Sequence, residues 1–217
     1  PAFWLGMTVS PERTDDFNIY SLFDHNIAYE IRLQTALGQN LLCPFHYFGI
    51  TDLAVDQKHL SNLRDFQFLT SDERVKHILE RAEYFGYSGS RVKGLIFCSS
   101  LDECEDLSKK FNAKGYQTLA LSGDNTQDDR EKAIERLTQE RRDSTALDYI
   151  LTVDIFNEGV DIPEINQVLL LRPTQSPIIF LQQLGRGLRK ADGKDYVIVL
   201  DFIANYKENY LIPVALS

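Results

Sequence analysis

The sequence predicts an α/β fold, a three-layer sandwich in which a mostly parallel sheet lies between two layers of helices. Two observations carry this. From residue 92 onward, short β-branched and aliphatic runs alternate with helix-length stretches, the pattern of parallel strands joined by crossover helices. The helical stretches also open on recognisable capping residues. The 217 residues suffice for one good-sized core or two modest ones, and their balance of apolar and charged residues is that of a globular protein.

Each element follows in order. VKGLIFC (92–98) reads as a buried strand, and the helix after it opens with Ser100 and Glu103 in capping-box spacing and stops at Gly115. QTLAL (117–121) is the next strand. After the loop SGDN, Thr126 and Asp129 form a second capping box for the helix QDDREKAIERL. LDYILTV (147–153) and QVLLLR (167–172) are further strands, separated by the loop DIFNEGVDIP. Ser176 and Pro177 suit an N-cap and first turn for a helix over 178–190, and YVIVLDF (196–202) closes the sheet. Before residue 92, FWLGMTVS, NIAYEI and CPFHYFGI read as strands, Thr14 caps a short helix, and Ser71 caps a helix running to about Tyr84.

Composition excludes several function classes. A net charge of −9 argues against a broadly basic nucleic-acid binder, because the phosphate backbone rewards clustered Lys and Arg, but it leaves room for a local strip. The longest aliphatic run, VLLL at 168–171, is far too short to span a bilayer, so no membrane role and a cytoplasmic location are expected. Cys43, Cys98 and Cys104 form no CxxC pair and the four histidines are scattered, so neither a disulfide framework nor a metal site is expected. The chain opens at Pro1 and runs at once into FWLGM, and it reads as a piece of a longer polypeptide.

The chemistry-bearing stretch is QQLGRGLR (182–189). On a helix, Leu181, Leu184, Gly185 and Leu188 share one side, while Gln182, Arg186 and Arg189 fall within an arc of about 60° on the other. Such a helix buries its leucines on the sheet and offers a glutamine and two guanidiniums outward. Taken alone, two such arginines are more often a solvated face. The loop TVDIFNEGVDIP (152–163) lies past a strand's carboxyl end, where open parallel sheets bind ligands. There Gly159 permits unusual backbone and Asp161 suits a ribose hydroxyl, or the stretch is an ordinary turn with Asp161 as a local cap. The segments 98–100 and 122–124 also follow strands, so Ser99, Ser100, Ser122, Gly123 and Thr152 are candidate contacts to a phosphate backbone. LDECED (101–106) has an acidic look, but it falls inside a capped helix and reads as first-turn acids favouring the helix dipole.

In order, TVSPERTD (8–15), GLIFCSS (94–100), LSGDNTQDDR (121–130), TVDIFNEGVDIP and RPTQSPIIFLQQLGRGLR (172–189) resemble motifs III, IV, IVa, V and VI of superfamily-two helicases. NEGVDIP and QQLGRGLR are similar to the branch with type III restriction-enzyme translocating subunits and XPB-like repair helicases. DEAD-box RNA helicases differ, with HRIGRTGR in motif VI and an arginine where Glu158 stands. TVSP replaces the usual TATP, and Gln183 stands where many relatives have arginine.

The resemblance implies a RecA-like fold and a two-domain motor with ATP in the cleft between domains. The first domain supplies the phosphate loop and holds Mg2+. This chain has no GxxxxGK(S/T) and no acidic DExD/H box, so residues 1–24 are expected to be the end of that first motor domain and 25–217 the second. By the resemblance, Arg186 and Arg189 are arginine fingers, Gln182 assists them, and Gly159 and Asp161 face the nucleotide. The expected partners are DNA, with RNA the other candidate, and the preceding RecA-like domain of the same polypeptide. The competing expectation is a RecA-like docking module without catalysis; a free-standing nucleotide-binding enzyme suits the missing phosphate loop less well.

Overall fold

A computed structural model describes residues 19–27, 33–51, 69–153, 162–172 and 188–203. Among the described residues, six strands form one sheet in the order β1-β6-β5-β2-β4-β3. They are β1 (Phe45–Thr51), β2 (Gly94–Phe97), β3 (Thr118–Leu121), β4 (Tyr149–Thr152), β5 (Gln167–Leu170) and β6 (Val197–Ile203). Every neighbouring pair is parallel. The helices are α1 (Leu33–Gly38), α2 (Asp72–Phe85), α3 (Leu101–Ala113) and α4 (Gln127–Thr138), preceded by a short 3-10 helix at Ile19–Phe23.

Side-chain alternation along the strands builds the two outer layers. Leu95, Phe97, Val168, Leu170, Val197 and Val199 point to one face, where they meet Ala133 and Leu137 of α4. Ile96, Cys98, Leu169, Leu171, Ile198 and Leu200 point to the other, against Val75, Ile78 and Ala82 of α2 and Cys104, Leu107 and Phe111 of α3. Central strands buried on both faces must be apolar at nearly every position, which is why β2 and β5 read as continuous hydrophobic runs. All three cysteines are free and buried.

The helix starts are where the capping residues put them. Ser71 accepts from the Arg74 amide, Ser100 from Glu103, and Thr126 and Asp129 complete a reciprocal box. At the other end of α3, Gly115 takes a φ of 92°. That left-handed turn lets Gly115 N donate to Asn112 O and Tyr116 N to Phe111 O, closing the helix as a glycine in this conformation does.

Some expectations change. Asn26 and Ile27 are not in a strand, and the rest of NIAYEI, like FWLGMTVS and Thr14, lies outside the described residues. The helix expected over 178–190 lies outside them up to 187, and its last three residues, 188–190, are irregular.

Candidate nucleic-acid and nucleotide interface

In a parallel sheet the carboxyl ends of all strands share one edge. Here β2, β4 and β3 are neighbours, so the loop after β2 (98–100), the loop after β3 (122–126) and the end of β4 lie side by side. The Cys98 amide donates to Thr152 O at 2.9 Å, tying the first of these to the last. Ser99, Ser100 and Gly123 are exposed and Ser122 is half-buried. The capped N-termini of α3 and α4 open directly from these loops, and helix N-termini present partial positive charge and amide donors to an anion.

Backbone amides in both loops are already engaged. Ser99 N donates to Glu103 Oε2 at 2.7 Å, and Ser122 N donates to Asn125 Oδ1 at 2.6 Å. Arg130 of α4 reaches back to Gly123 O at 3.0 Å. The serine hydroxyls are therefore the groups left to meet a phosphate at Ser99 and Ser100.

Glu103 is more than a first-turn acid. Its side chain is 0% exposed and forms an ion pair of 3.1 Å with Arg74 of α2, itself 1% exposed. Burial raises the Glu103 pKa, opposed by Arg74 and by the amides of Ser99 and Ser100. Arg74 also donates to Leu69 O at 2.7 Å and to Leu171 O, just past β5, at 3.3 Å. Sequence reasoning missed Arg74. The available signal was its place beside Val75, one turn before Ile78 and Leu79, in the stripe that α2 buries.

Thr152 stands apart from the exposed serines. It is 0% exposed, so its hydroxyl is not at the surface, and its carbonyl holds the Cys98 amide. Gly159, Asp161, Gln182 and Arg186 lie outside the described residues. Arg189 is described and exposed, while its neighbour Leu188 is buried. Leu188 O accepts from Cys43 N at 2.7 Å, two residues before β1. The backbone just before Arg189 thus lies beside the start of β1, and the rest of 152–163 and 182–189, at 154–161 and 182–187, lies outside the described residues. Ile162, one residue past Asp161, belongs to the same buried cluster as Leu188, so the carboxyl ends of the two expected nucleotide-facing segments share one side of the sheet.

Among the described residues no group of His, Cys, Asp and Glu could hold a metal ion, and no helix is long and apolar enough to cross a membrane. The acids of LDECED stay within α3, with Asp102 and Glu103 in its first turn.

Residues 71–191 match the family model described as the helicase conserved C-terminal domain. A protein named as the ATP-dependent helicase IRC3 of Saccharomyces cerevisiae is 25% identical over 92% of this chain, which covers 29% of that protein. A protein named as a mitochondrial ATP-dependent helicase of Schizosaccharomyces pombe is 29% identical over 91% of the chain, which covers 32% of it. The chain thus spans about a third of the length of these two relatives. A solved fragment named as an HsdR subunit of a type I restriction enzyme from Vibrio vulnificus shares the fold over 100% of this chain and 42% of its own, at a TM-score of 0.75 and 21% identity. A family match across more than half of the chain, on a parallel sheet whose polar loops stand at its carboxyl edge, leaves one assignment: the chain belongs to the helicase conserved C-terminal domain family and has the RecA-like fold of superfamily-two helicases.

Proposed function

We propose that the chain is the C-terminal motor domain of an ATP-dependent DNA helicase or translocase. The observation that carries this reading is the pair of serine loops at the carboxyl ends of β2 and β3, the two strands that flank β4: Ser99 with Ser100 and Ser122 with Gly123, each opening into a capped helix N-terminus. That row of hydroxyls and helix dipoles suits a phosphate backbone and carries no means of reading bases.

In this reading the ATP site is completed by a preceding RecA-like domain, to which residues 1–24 belong and which holds Mg2+. Bound ATP supplies the phosphoryl group whose transfer drives the motor. Arg186 and Arg189 meet the charge that develops on that group, Gln182 orients them, and Gly159 and Asp161 face the nucleotide.

A second reading, a docking module without catalysis, is favoured by the acids in the first turns of the helices that open at this edge. Asp102 and Glu103 stand in α3, and Asp128 and Asp129 in α4. Paired with the net charge of −9, they weaken attraction for phosphate.

Binding of a labelled single-stranded DNA to the chain, followed by anisotropy across salt concentrations, tests the first reading. The expected Kd is about 10⁻⁴ to 10⁻⁵ M, sequence-independent and weakening with salt. Replacing Ser99, Ser100 and Ser122 together with alanine should weaken it further, and unchanged binding by that triple variant would sink the assignment of the serine loops.

A further inference from the structure

We propose that Arg74 and Glu103 are a positioning pair that sets Ser99 and Ser100 for contact with a phosphate backbone; the inference rests on the nucleic-acid reading above. One ion pair ties four places together. Arg74 holds Leu69 O before α2 and Leu171 O after β5. Glu103 gives one carboxylate oxygen to Arg74 and the other to the Ser99 amide.

Stability alone is a weak reason for such a pair. Removing two charges from water costs about as much as their attraction returns, and well-packed apolar residues of similar volume often serve as well. What an apolar pair cannot do is accept the Ser99 N–H. That bond turns the amide inward and leaves both serine side chains exposed. The Ser100 hydroxyl oxygen accepts from Glu103 N at 3.2 Å, so its O–H remains free to donate outward.

Arg74 does a second job at this loop. A bare carboxylate directly beneath the serines would repel a phosphate through a low-dielectric interior. The guanidinium 3.1 Å from Glu103 cancels that charge. The pair thus supplies an acceptor for the amide without a net negative field at the surface.

The test measures binding of an oligothymidylate of about 20 nucleotides to the whole 217-residue chain, together with the urea midpoint of each variant. The double variant Arg74→Met/Glu103→Leu also takes the donor from the Leu69 and Leu171 carbonyls, so its midpoint should fall, and it should bind roughly tenfold more weakly, since nothing then holds the Ser99 amide. Glu103→Gln keeps an acceptor oxygen yet removes the carboxylate charge that faces Arg74. Its midpoint should fall while its affinity stays within about twofold of wild type. A merely structural role makes affinity follow the midpoint, so Glu103→Gln binding more weakly than the double variant would overturn the proposal. If the double variant does not fold, Glu103→Gln decides alone, and a tenfold loss there overturns it. Wild-type affinity in a folded double variant overturns the positioning role and leaves the nucleic-acid reading standing. No binding by the wild-type chain overturns both.

Discussion

The ring of Tyr149 occupies the space that a Cβ on Gly94 would need: an ideal Cβ there lies 2.2 Å from Tyr149 Cδ1. The two residues are register partners on β2 and β4. Tyr149 has no room to retreat, because its hydroxyl donates to Gln167 Oε1 at 2.6 Å and its side chain is 2% exposed. Gly94→Ala should therefore destabilise the chain by about 2–3 kcal/mol through overpacking, read as a lowered urea midpoint. Tyr149→Ala should be costly by itself yet make Gly94→Ala nearly neutral in the double variant. Additive effects of the two substitutions would contradict a direct contact.

Arg91 closes the carboxyl end of α4. Its guanidinium donates to the carbonyls of Leu137, Gln139 and Leu147 at 2.5, 2.7 and 2.8 Å, and to Val92 at 3.0 Å. Burial lowers its pKa, offset by Asp148 and Glu140. Arg91→Met would leave these carbonyls without their donor, at an expected cost of about 3 kcal/mol. Lysine should recover only part of this, because a single ammonium cannot fork to carbonyls on opposite sides. Thermal unfolding of both variants checks the ordering, and a lysine variant as stable as wild type would remove the argument from fork geometry.

Much of the fold was legible because short-range signals decide it. Ser71, Ser100 and Thr126 start helices by satisfying amides close by in the chain, and Gly115 ends one by its own φ, so each can be read without tertiary knowledge. Long-range polar contacts were not legible. Arg74 and Glu103 are 29 residues apart and Arg91 contacts Leu147 across 56, and nothing local announces which distant carbonyl or carboxylate a buried arginine will find. The candidate site divides in the same way. Strand–loop–helix order located the serine loops, but it could not show that Thr152 faces the core or that Glu103 and Asn125 already hold the loop amides.

Asp201 on β6 gives the chain a pH dependence with a definite sign. Burial raises its pKa from 3.8 to about 6, although Tyr47 donates to it at 2.6 Å and favours the ionised form. Between those values the folded chain keeps a proton that the unfolded chain has released. Stability from this group is therefore full below pH 4, falls as pH rises to about 6, and is level above. Asp201→Asn should flatten that slope and stabilise the chain at pH 7 by about 2–3 kcal/mol. Tyr47→Phe should move the fall to higher pH, since it removes the bond that favours the charge. Urea melts from pH 4 to pH 8 check both, and an unchanged slope in Asp201→Asn would show that another group is responsible.

The arginines of QQLGRGLR are tested in a polypeptide that contains this chain together with its preceding motor domain. Arg189 is exposed beside buried Leu188, so its replacement should leave the fold and melting temperature nearly unchanged. If Arg186 and Arg189 meet the charge that develops on the transferred phosphoryl group, each alanine substitution removes an interaction made chiefly in the transition state. Such a finger is worth about 10³ to 10⁵ in turnover, so the ATPase rate should drop by about a thousandfold with little change in ATP affinity. Lysine should rescue poorly, because it keeps the charge and loses the planar two-pronged donor. A solvated face would make every one of these substitutions nearly silent. Steady-state ATPase rates within a few fold of wild type for Arg186→Ala and Arg189→Ala would end the finger assignment and make the docking module the better account.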